Sequence, residues 1–590
     1  MKVSDYVMDV IANEGVKHVF MLPGGGAMHL NDSLGRSVQL EYICNLHEQA
    51  CSIAAEAYGQ YTNNLGVCLV TTGPGSTNAI TGVAAGWMDS TPMLVVSGQV
   101  KRADLCQSKG TRQFGFQEIN IVPVVQSITK YAVTVTEPES IRYHLEKSIW
   151  LAQNGRPGPS WIDIPLDVQA SDVNPSKMPG FMPEVERFVS ESDSETLKTK
   201  VATTLELLLR AKRPIILVGN GVRLAKSEQA FFKLIKALNI PVLTTWKALD
   251  LLAEDDPNFI GRPGAVGQRA ANLAQQKSDW MLMLGARMDM GQTAYMHKYL
   301  AQGAKKIMVD IDEKEIEKMK TKIHVQCPYD AGVFINEMLK KVNNNSIENA
   351  NWLDWWEKCR SWKKRFVMVK PEYLKFSDGV SLYVFIDLLS ELMKSGDIFV
   401  PGSSGACSEV SMQTFKAKKG VRVFNSEGMG PMGFGISGAI GACMASDQKR
   451  TVCVDGDGGF AMNTQELQTV SRLNLPIVFF VLDNNGYASI RSTQKTYFNR
   501  RYYASTEEHG LTLPDLQKVS EAYNITFTDI KTMDDISKKI DTCLSTSGPI
   551  ICRVKVSDKQ ITSPRVKSCL NKDGHMETAP MEEMWPEIEL

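Results

Sequence analysis

Asp457 stands among glycines in VDGDGGF (Val454 to Phe460), directly after the apolar run TVCV and ahead of a helix-like stretch. A carboxylate in that setting can close a tight turn, coordinate a cation or border a phosphate cradle. An EF-hand loop counted from Asp455 would have Glu466 at position 12, but it puts Phe460 at position 6, where the sharp turn needs glycine. No GxxxxGK[ST] segment is present, so a Walker-type phosphate loop fails as well. The next apolar run, NLPIVFFVLDNNGY, stops at Asp483-Asn484-Asn485-Gly486. If the two runs are neighbouring parallel strands, Asp457 and Asn484 offer two hard oxygens side by side, and the turn at Gly486 can add a backbone carbonyl. Such a set suits Mg²⁺, which takes a few protein oxygens together with substrate phosphates and water. The helix opening near Asn463 offers its amino end to a diphosphate. For GDG alone, a solvated strand-to-helix turn is the alternative.

Residues of this kind need strand ends to hold them. Short Val/Ile/Leu-rich runs alternate with helical patterns nearly throughout, which is the βαβ pattern of parallel sheets covered by helices. HVFML, GVCLVTTG, PMLVVSGQ and WIDIP form a first block; PIILVGNG, PVLTTW, WMLMLGAR and KIMVDID a second; IFVPGS, TVCVDG, PIVFFVLDNNG and IICRVKV a third. The fold class expected is α/β, with three doubly wound parallel-sheet domains over residues 1–172, 195–342 and 377–560 and a tail over 561–590. A Pro/Ser/Glu-rich connector (172–195) and a polar, Trp-studded one (343–376) separate the blocks. Ligands are expected at the carboxyl ends of the strands.

The 590 residues carry 65 basic and 66 acidic side chains with no long basic block, so a small-molecule partner is expected rather than nucleic acid or an anionic membrane. The amino-terminal thirty residues bear acids and an amphipathic pattern, and no apolar run approaches membrane-spanning length. The expected location is the cytoplasm. The 12 cysteines form no CxxC pair, and several, such as Cys68 and Cys453, lie in apolar runs, as buried thiols do.

GDG followed by Asn484 in the NNG turn resembles the cofactor-anchoring motif of thiamine diphosphate (ThDP) enzymes. Further motifs along nearly the whole chain resemble those of the acetolactate synthase-like branch: PGGGAMHL (Pro23 to Leu30), NLHEQA (Asn45 to Ala50), VTTGPGSTNAITG (Val70 to Gly82), GFQE (Gly115 to Glu118) and GMGPMGFG (Gly428 to Gly435). The resemblance implies a pyrimidine-binding first domain, a central second domain and a diphosphate-binding third domain. It implies ThDP contacts at Pro23, Gly24, Gly25, Glu48, Thr72, Gly75, Asn78, Gly430, Met432, Gly456, Asp457, Gly458, Gly459, Asn484, Gly486 and Tyr487, with Mg²⁺ on Asp457, Asn484 and Gly486. Glu48 matches the glutamate that hydrogen-bonds the aminopyrimidine and favours the tautomer able to take the thiazolium C2 proton. Helix-dipole complementarity is the alternative for a glutamate opening a helix. Met432 takes the position over which the cofactor bends, and the carbonyl of Gly430 that of the 4′-amino acceptor. Gln117 and Gly25 are carried over to the reacting end, with His29 as a nearby titratable group.

Gly219, Gly221, Gly285, Arg287, Asp310 and Asp312 resemble positions by which acetolactate synthases hold FAD, although GRPG (Gly261 to Gly264) replaces a His-Gly. Because Glu48 and the metal ligands lie in different blocks, the resemblance implies a homodimer or homotetramer with the active site at a subunit interface. Three positions depart from the synthases: Gly291 stands for the arginine that grips the carboxylate of the second 2-oxo acid, Thr493 for a tryptophan and Leu166 for a lysine. A lost carboxylate clamp favours an acceptor without a carboxylate. The expected activity is decarboxylation of a 2-oxo acid, pyruvate first, and transfer of the two-carbon unit to an acceptor such as a nucleotide-linked keto sugar, with Arg491, Lys495, Arg500 and Arg501 as a grip for its diphosphate or as a solvated basic face. The alternatives are a simple decarboxylase or acetolactate synthase, a hydrolase of cyclic diones, and a non-catalytic regulatory homologue.

Overall fold

The four apolar runs of the first block become β1 (His18–Met21), β3 (Gly66–Val70), β4 (Met93–Gln99) and β6 (Pro159–Pro165), joined by two edge strands not expected from the sequence, β2 (Glu41–Cys44) and β5 (Tyr131–Thr134), all parallel, in a computed structural model, which describes residues 1–106, 109–183, 191–342, 351–557, 559–570, 573 and 576–588. Alternate residues serve opposite faces, as period-two strands must: Val19 and Met21 join one core while Phe20 joins another. The spatial order is β2-β1-β3-β4-β6-β5. The third block repeats that order with β13 (Ile398–Pro401), β14 (Arg422–Val423), β15 (Thr451–Gly456), β16 (Ile477–Asp483), β17 (Thr526–Ile530) and β18 (Ile550–Lys555), arranged β14-β13-β15-β16-β18-β17.

The middle block is wound differently. Its strands are β7 (Pro214–Val218), β8 (Val242–Thr244), β9 (Phe259–Gly261), β10 (Trp280–Leu284), β11 (Lys305–Val309) and β12 (Val325–Cys327), in the order β12-β11-β10-β7-β8-β9. Read from β9, this is the third-second-first-fourth-fifth-sixth order of dinucleotide-binding sheets. The first and third sheets double back from edge strands β5 and β17, and each sheet has a place where the chain switches from building one side to building the other: between β1 and β3, between β7 and β10, and between β13 and β15. Crevices for ligands open there, beyond the carboxyl ends of the strands.

The first and third sheets share a core. Helix Glu48–Thr62 lies against helix Phe434–Ala445, which is buried from Phe434 to Met444 and apolar on all sides, as an enclosed helix must be. Their approach is too close for a side chain at Gly441, where a Cβ would stand 2.1 Å from the Ala54 carbonyl oxygen.

Part of the expected connectors, residues 184–190 and 343–350, lies outside the described residues. The Trp-rich stretch that follows is docked instead of free: Trp352, Trp355 and Trp356 donate their indole N–H groups to the carbonyls of Ala211, Pro214 and Asn239. Residues beyond 560 also return to the middle domain, where Val566, Met581 and Met584 complete its core.

Candidate active site

In the third domain, β15 and β16 run in register with Gly456 opposite Leu482, so Asp457 and Asn484 emerge from adjacent strand ends. The turn between them and the following helix uses Asn485 (φ 60°) and Gly486 (φ 106°), the left-handed backbone that asparagine and glycine adopt most readily. The Asp457 carboxylate is buried and accepts N–H groups from Gly458 (2.8 Å), Gly486 (3.0 Å) and Asn484 (3.2 Å). Burial, the largest influence, holds its carboxyl above the ordinary carboxylate range against those three donors. The Asn484 Oδ1 is buried with no hydrogen-bond partner. An orphaned hard oxygen beside a crowded carboxylate is the donor set a small divalent cation satisfies.

Gly456 faces open space, whereas a Cβ on Gly458 would meet the Tyr487 ring at 2.3 Å and the Met432 methyl at 3.3 Å. Met432, Gly458 and Tyr487 therefore meet at one wall. Gly430 lies beside the carbonyl of Ser403, just past β13, with φ 61°. The pocket of about 910 Å³ beside the metal loop is lined by Asp457, Thr464, Gly486 and Leu511 among other residues, all from the third domain.

Two residues carry more than the sequence indicated. Asp455, met in the sequence only as the first position of a rejected calcium loop, is buried against Gly402, Gly435 and Gly459, each too close to its carboxylate to bear a side chain. Burial pushes it up to about 7. It thus packs three chain segments around the β13/β15 crevice, a role hidden because its partners lie far apart in sequence. Glu466, noted only as the twelfth position of a rejected calcium loop, is buried in the third domain and reaches into the first. It accepts from the Leu46 N–H and the Asn45 amide, both at 2.8 Å, and so pins the segment that leads into Glu48.

Glu48 is buried at the start of its helix, where the His47 ring caps the Gln49 N–H. Its carboxylate accepts from the Asn78 amide at 2.9 Å and lies 3.4 Å from where a Cβ on Gly75 would stand. Gly24 packs on Thr71, Gly25 faces open space, and Thr72 donates to Gln99 at 2.8 Å. The Gln117 carbonyl lies against Gly73, so the GFQE loop abuts this cluster, with the Gln117 side chain exposed and its φ at 60°. Pro23 is exposed and His29 half-buried, on the turn and helix leaving β1. All these residues surround the β1/β3 crevice.

At the β7/β10 crevice a cleft of about 960 Å³ is lined by Gly219, Gly221, Gly285, Arg287 and Asp310. The three glycines pack against one another with no room for side chains, which clears the floor. Burial raises Asp310 to about 6. The Asp312 carboxylate caps helix Glu313–Glu317 and pairs at 2.8 Å with Arg156, which lines the cleft.

Residues 1–124 match the family model described as the thiamine pyrophosphate enzyme N-terminal TPP binding domain, residues 201–338 the central domain, and residues 403–554 the C-terminal TPP binding domain. The acetolactate synthase isozyme 3 large subunit of Escherichia coli K12 is 31% identical over 545 residues, covering 92% of each chain. The acetolactate synthase large subunit of Haemophilus influenzae is 30% identical over 93% of each. Acetolactate synthase 2, chloroplastic, of Nicotiana tabacum is 31% identical over 96% of this chain and 84% of its own. The chain belongs to the ThDP-dependent, acetolactate synthase-like enzymes.

As a member of that family it is a ThDP-dependent enzyme that makes carbon–carbon bonds. Gly291 is exposed, and its carbonyl accepts the Ala265 N–H. Thr493 is exposed on helix Ala488–Tyr497, and Leu166 opens helix Leu166–Ala170. On the helix of Thr493, Arg491 turns inward and spends its guanidinium on the carbonyls of Asn484, Asn485 and Ser505. It therefore stiffens the Asn484–Gly486 turn, and its donors are already engaged there. Lys495, Arg500 and Arg501 remain exposed. Among the described residues, no helix is long and apolar enough to cross a membrane.

Proposed function

We propose that this carboligase decarboxylates pyruvate and passes the two-carbon unit to an acceptor that carries no carboxylate at the receiving end, a nucleotide-activated keto sugar. The observation that carries the reading is Gly291, a position without a side chain where the family's arginine would meet a second 2-oxo acid. Thr493 in place of tryptophan supports a wider pocket.

In this reading Asp457, Asn484 and the Gly486 carbonyl hold Mg²⁺, which ties the cofactor diphosphate to the β13/β15 crevice, while Gly430 and Met432 meet the rings. When bound, the thiazolium acts as the electron sink that decarboxylation requires. Glu48 hydrogen-bonds the aminopyrimidine, kept in place by Asn78 and by burial that excludes water. Gly25 leaves backbone N–H groups free for a substrate oxygen, with Gln117 and His29 close by. Glu48 borders the β1/β3 crevice and Asp457 the β13/β15 crevice, and the family resemblance implies an active site completed by a second copy, in a dimer or a tetramer. The dinucleotide order of the middle sheet and its glycine floor support FAD in the cleft, where Arg287 and Asp310 would flank it.

The test is incubation of the purified protein with ThDP, Mg²⁺ and pyruvate, with and without nucleotide-linked keto sugars. A branched-sugar product is expected. Acetolactate as the main product would overturn the acceptor assignment, and failure to release carbon dioxide from any 2-oxo acid would favour a dione hydrolase or a regulatory homologue.

A further inference from the structure

Three domains meet at one buried ion pair. Asp89 ends helix Ile80–Asp89 of the first domain, and Lys247 follows β8 in the middle domain. They pair at 2.7 Å with side chains 4% and 14% exposed. The Lys247 ammonium uses its remaining donors on the Gln60 amide oxygen (2.5 Å) and the carbonyl of Asn425 (2.6 Å) in the third domain. The Asp89 carboxylate has two further partners, the backbone N–H groups of Glu427 and Gly428, each at 2.9 Å.

Those partners begin the segment that continues to Gly430 and Met432. Its root, at Val423, is fixed by a second buried acid, Asp250, which accepts the Val423 N–H and pairs with Arg223 and Arg422 at 2.8 and 2.6 Å. Between Gly428 and Pro431 the chain is exposed or half-buried, and Gly430 takes a left-handed backbone. Asp89 grips it at its start, beside the Ser426 N–H to Ser403 hydroxyl and Gly430 N–H to Ser426 carbonyl bonds, and the Asn463 amide holds the Gly433 carbonyl at its end. A charged acceptor gives stronger bonds to backbone N–H than a neutral one, and a buried charge without its partner is costly.

We propose that Asp89, held in place by Lys247, is a positioning group for the thiamine-facing loop Gly428–Met432. Neither residue lines the pocket beside Asp457, whereas both line the middle-domain cleft proposed for FAD, so the comparison is made at one fixed FAD concentration. The inference rests on the reading of Gly430 and Met432 as ring contacts. It makes the geometry of the thiamine site depend on how the first and middle domains sit against the third.

The test uses the full-length protein freed of ThDP. ThDP is titrated at saturating Mg²⁺ and one fixed FAD concentration by calorimetry into the unaltered chain and into Asp89→Asn, Lys247→Met and Lys247→Arg. In parallel, backbone hydrogen exchange is followed without ThDP at the same FAD concentration. Asp89→Asn and Lys247→Met should each weaken ThDP binding about tenfold, the change that loss of one charged hydrogen bond gives. Lys247→Arg should retain most of the affinity, and the Glu427 and Gly428 amides should exchange faster in the first two variants while helix Glu48–Thr62 keeps its protection. Faster exchange with unchanged ThDP affinity would overturn the positioning role. Unchanged exchange would overturn the grip itself. Failure of the unaltered chain to bind ThDP would count against the cofactor reading, and the exchange arm would still decide whether Asp89 holds the loop. A variant that does not fold is replaced in this comparison by Lys247→Arg against Lys247→Met.

Discussion

A carboxylate that works on a bound ring and one that only opens a helix differ in what their removal costs. Glu48→Gln keeps the shape and the Asn78 contact but removes the charge, so turnover of a 2-oxo acid should fall by about 10² to 10⁴, the usual worth of a positioned proton-transfer group. ThDP binding should change far less, and a steady-state assay beside a binding titration separates the two; equal turnover would leave Glu48 with a structural part only. Arg491 makes the opposite kind of prediction. Because its donors go to carbonyls of the metal turn, Arg491→Gln should weaken Mg²⁺ dependence several-fold and leave the KM of a nucleotide-linked acceptor unaltered. A change confined to that KM would restore the arginine to substrate binding. Glu56, fully buried on the Glu48 helix, carries a pH signature. Burial raises its carboxyl to about 7 from 4.5, with Lys247 opposing. A group whose folded pKa lies above its unfolded value adds stability at low pH that drains away as the pH rises through the folded value. The thermal midpoint should therefore decline between about pH 5 and 8, and Glu56→Gln should flatten that decline.

At the scale of elements, the glycine-bearing helix Phe434–Ala445 is the sensitive part. Gly441→Val drives a side chain into the Ala54 carbonyl region and should destabilise the fold by about 3 kcal/mol, measured by urea unfolding. The four inner strands of each sheet were legible as short apolar runs, and Asp457 with Asn484 could be paired from two of their endings; the edge strands β2, β5, β9, β12, β14 and β17 were not, being short or only partly apolar. The sheet order of the middle block was not, since strand order depends on packing among distant segments. Asp455 and Glu466 were missed for the same reason: nothing near either residue in the chain says that Gly402, Gly435 or the Asn45–Leu46 segment will arrive beside it. Asp312 and Arg491 were legible as types that suit a ligand, while the neighbours they engage, a helix amino end and three carbonyls, were not. Gly291 and Thr493 can be placed on the surface, but what fills the space beside them is a matter for the acceptor experiment.

For the whole molecule, two sheets of one topology share a core while a differently wound third keeps its own, and one cleft lies at the switch point of that middle sheet. If FAD occupies it, the purified protein should be yellow, and denaturation should release flavin in proportion to protein. A colourless protein that does not take up added FAD would remove the flavin while leaving the ThDP assignment untouched. Completion of the site by a second copy predicts that specific activity falls on dilution below the dimer dissociation constant and returns on concentration, with sedimentation following the same curve.

The return of residues beyond 560 to the middle domain bears on the order in which the chain can mature during synthesis. Domains generally fold as they emerge from the ribosome, amino end first. Here the middle core, largely assembled from residues after 197, still lacks Val566, Met581 and Met584 until the whole third domain has been made, and helix Glu48–Thr62 waits for Phe434–Ala445. Neither the first nor the middle domain is therefore closed until segments within and after the third domain arrive, so a ribosome stalled early in the third domain would hold a long chain with apolar faces still uncovered.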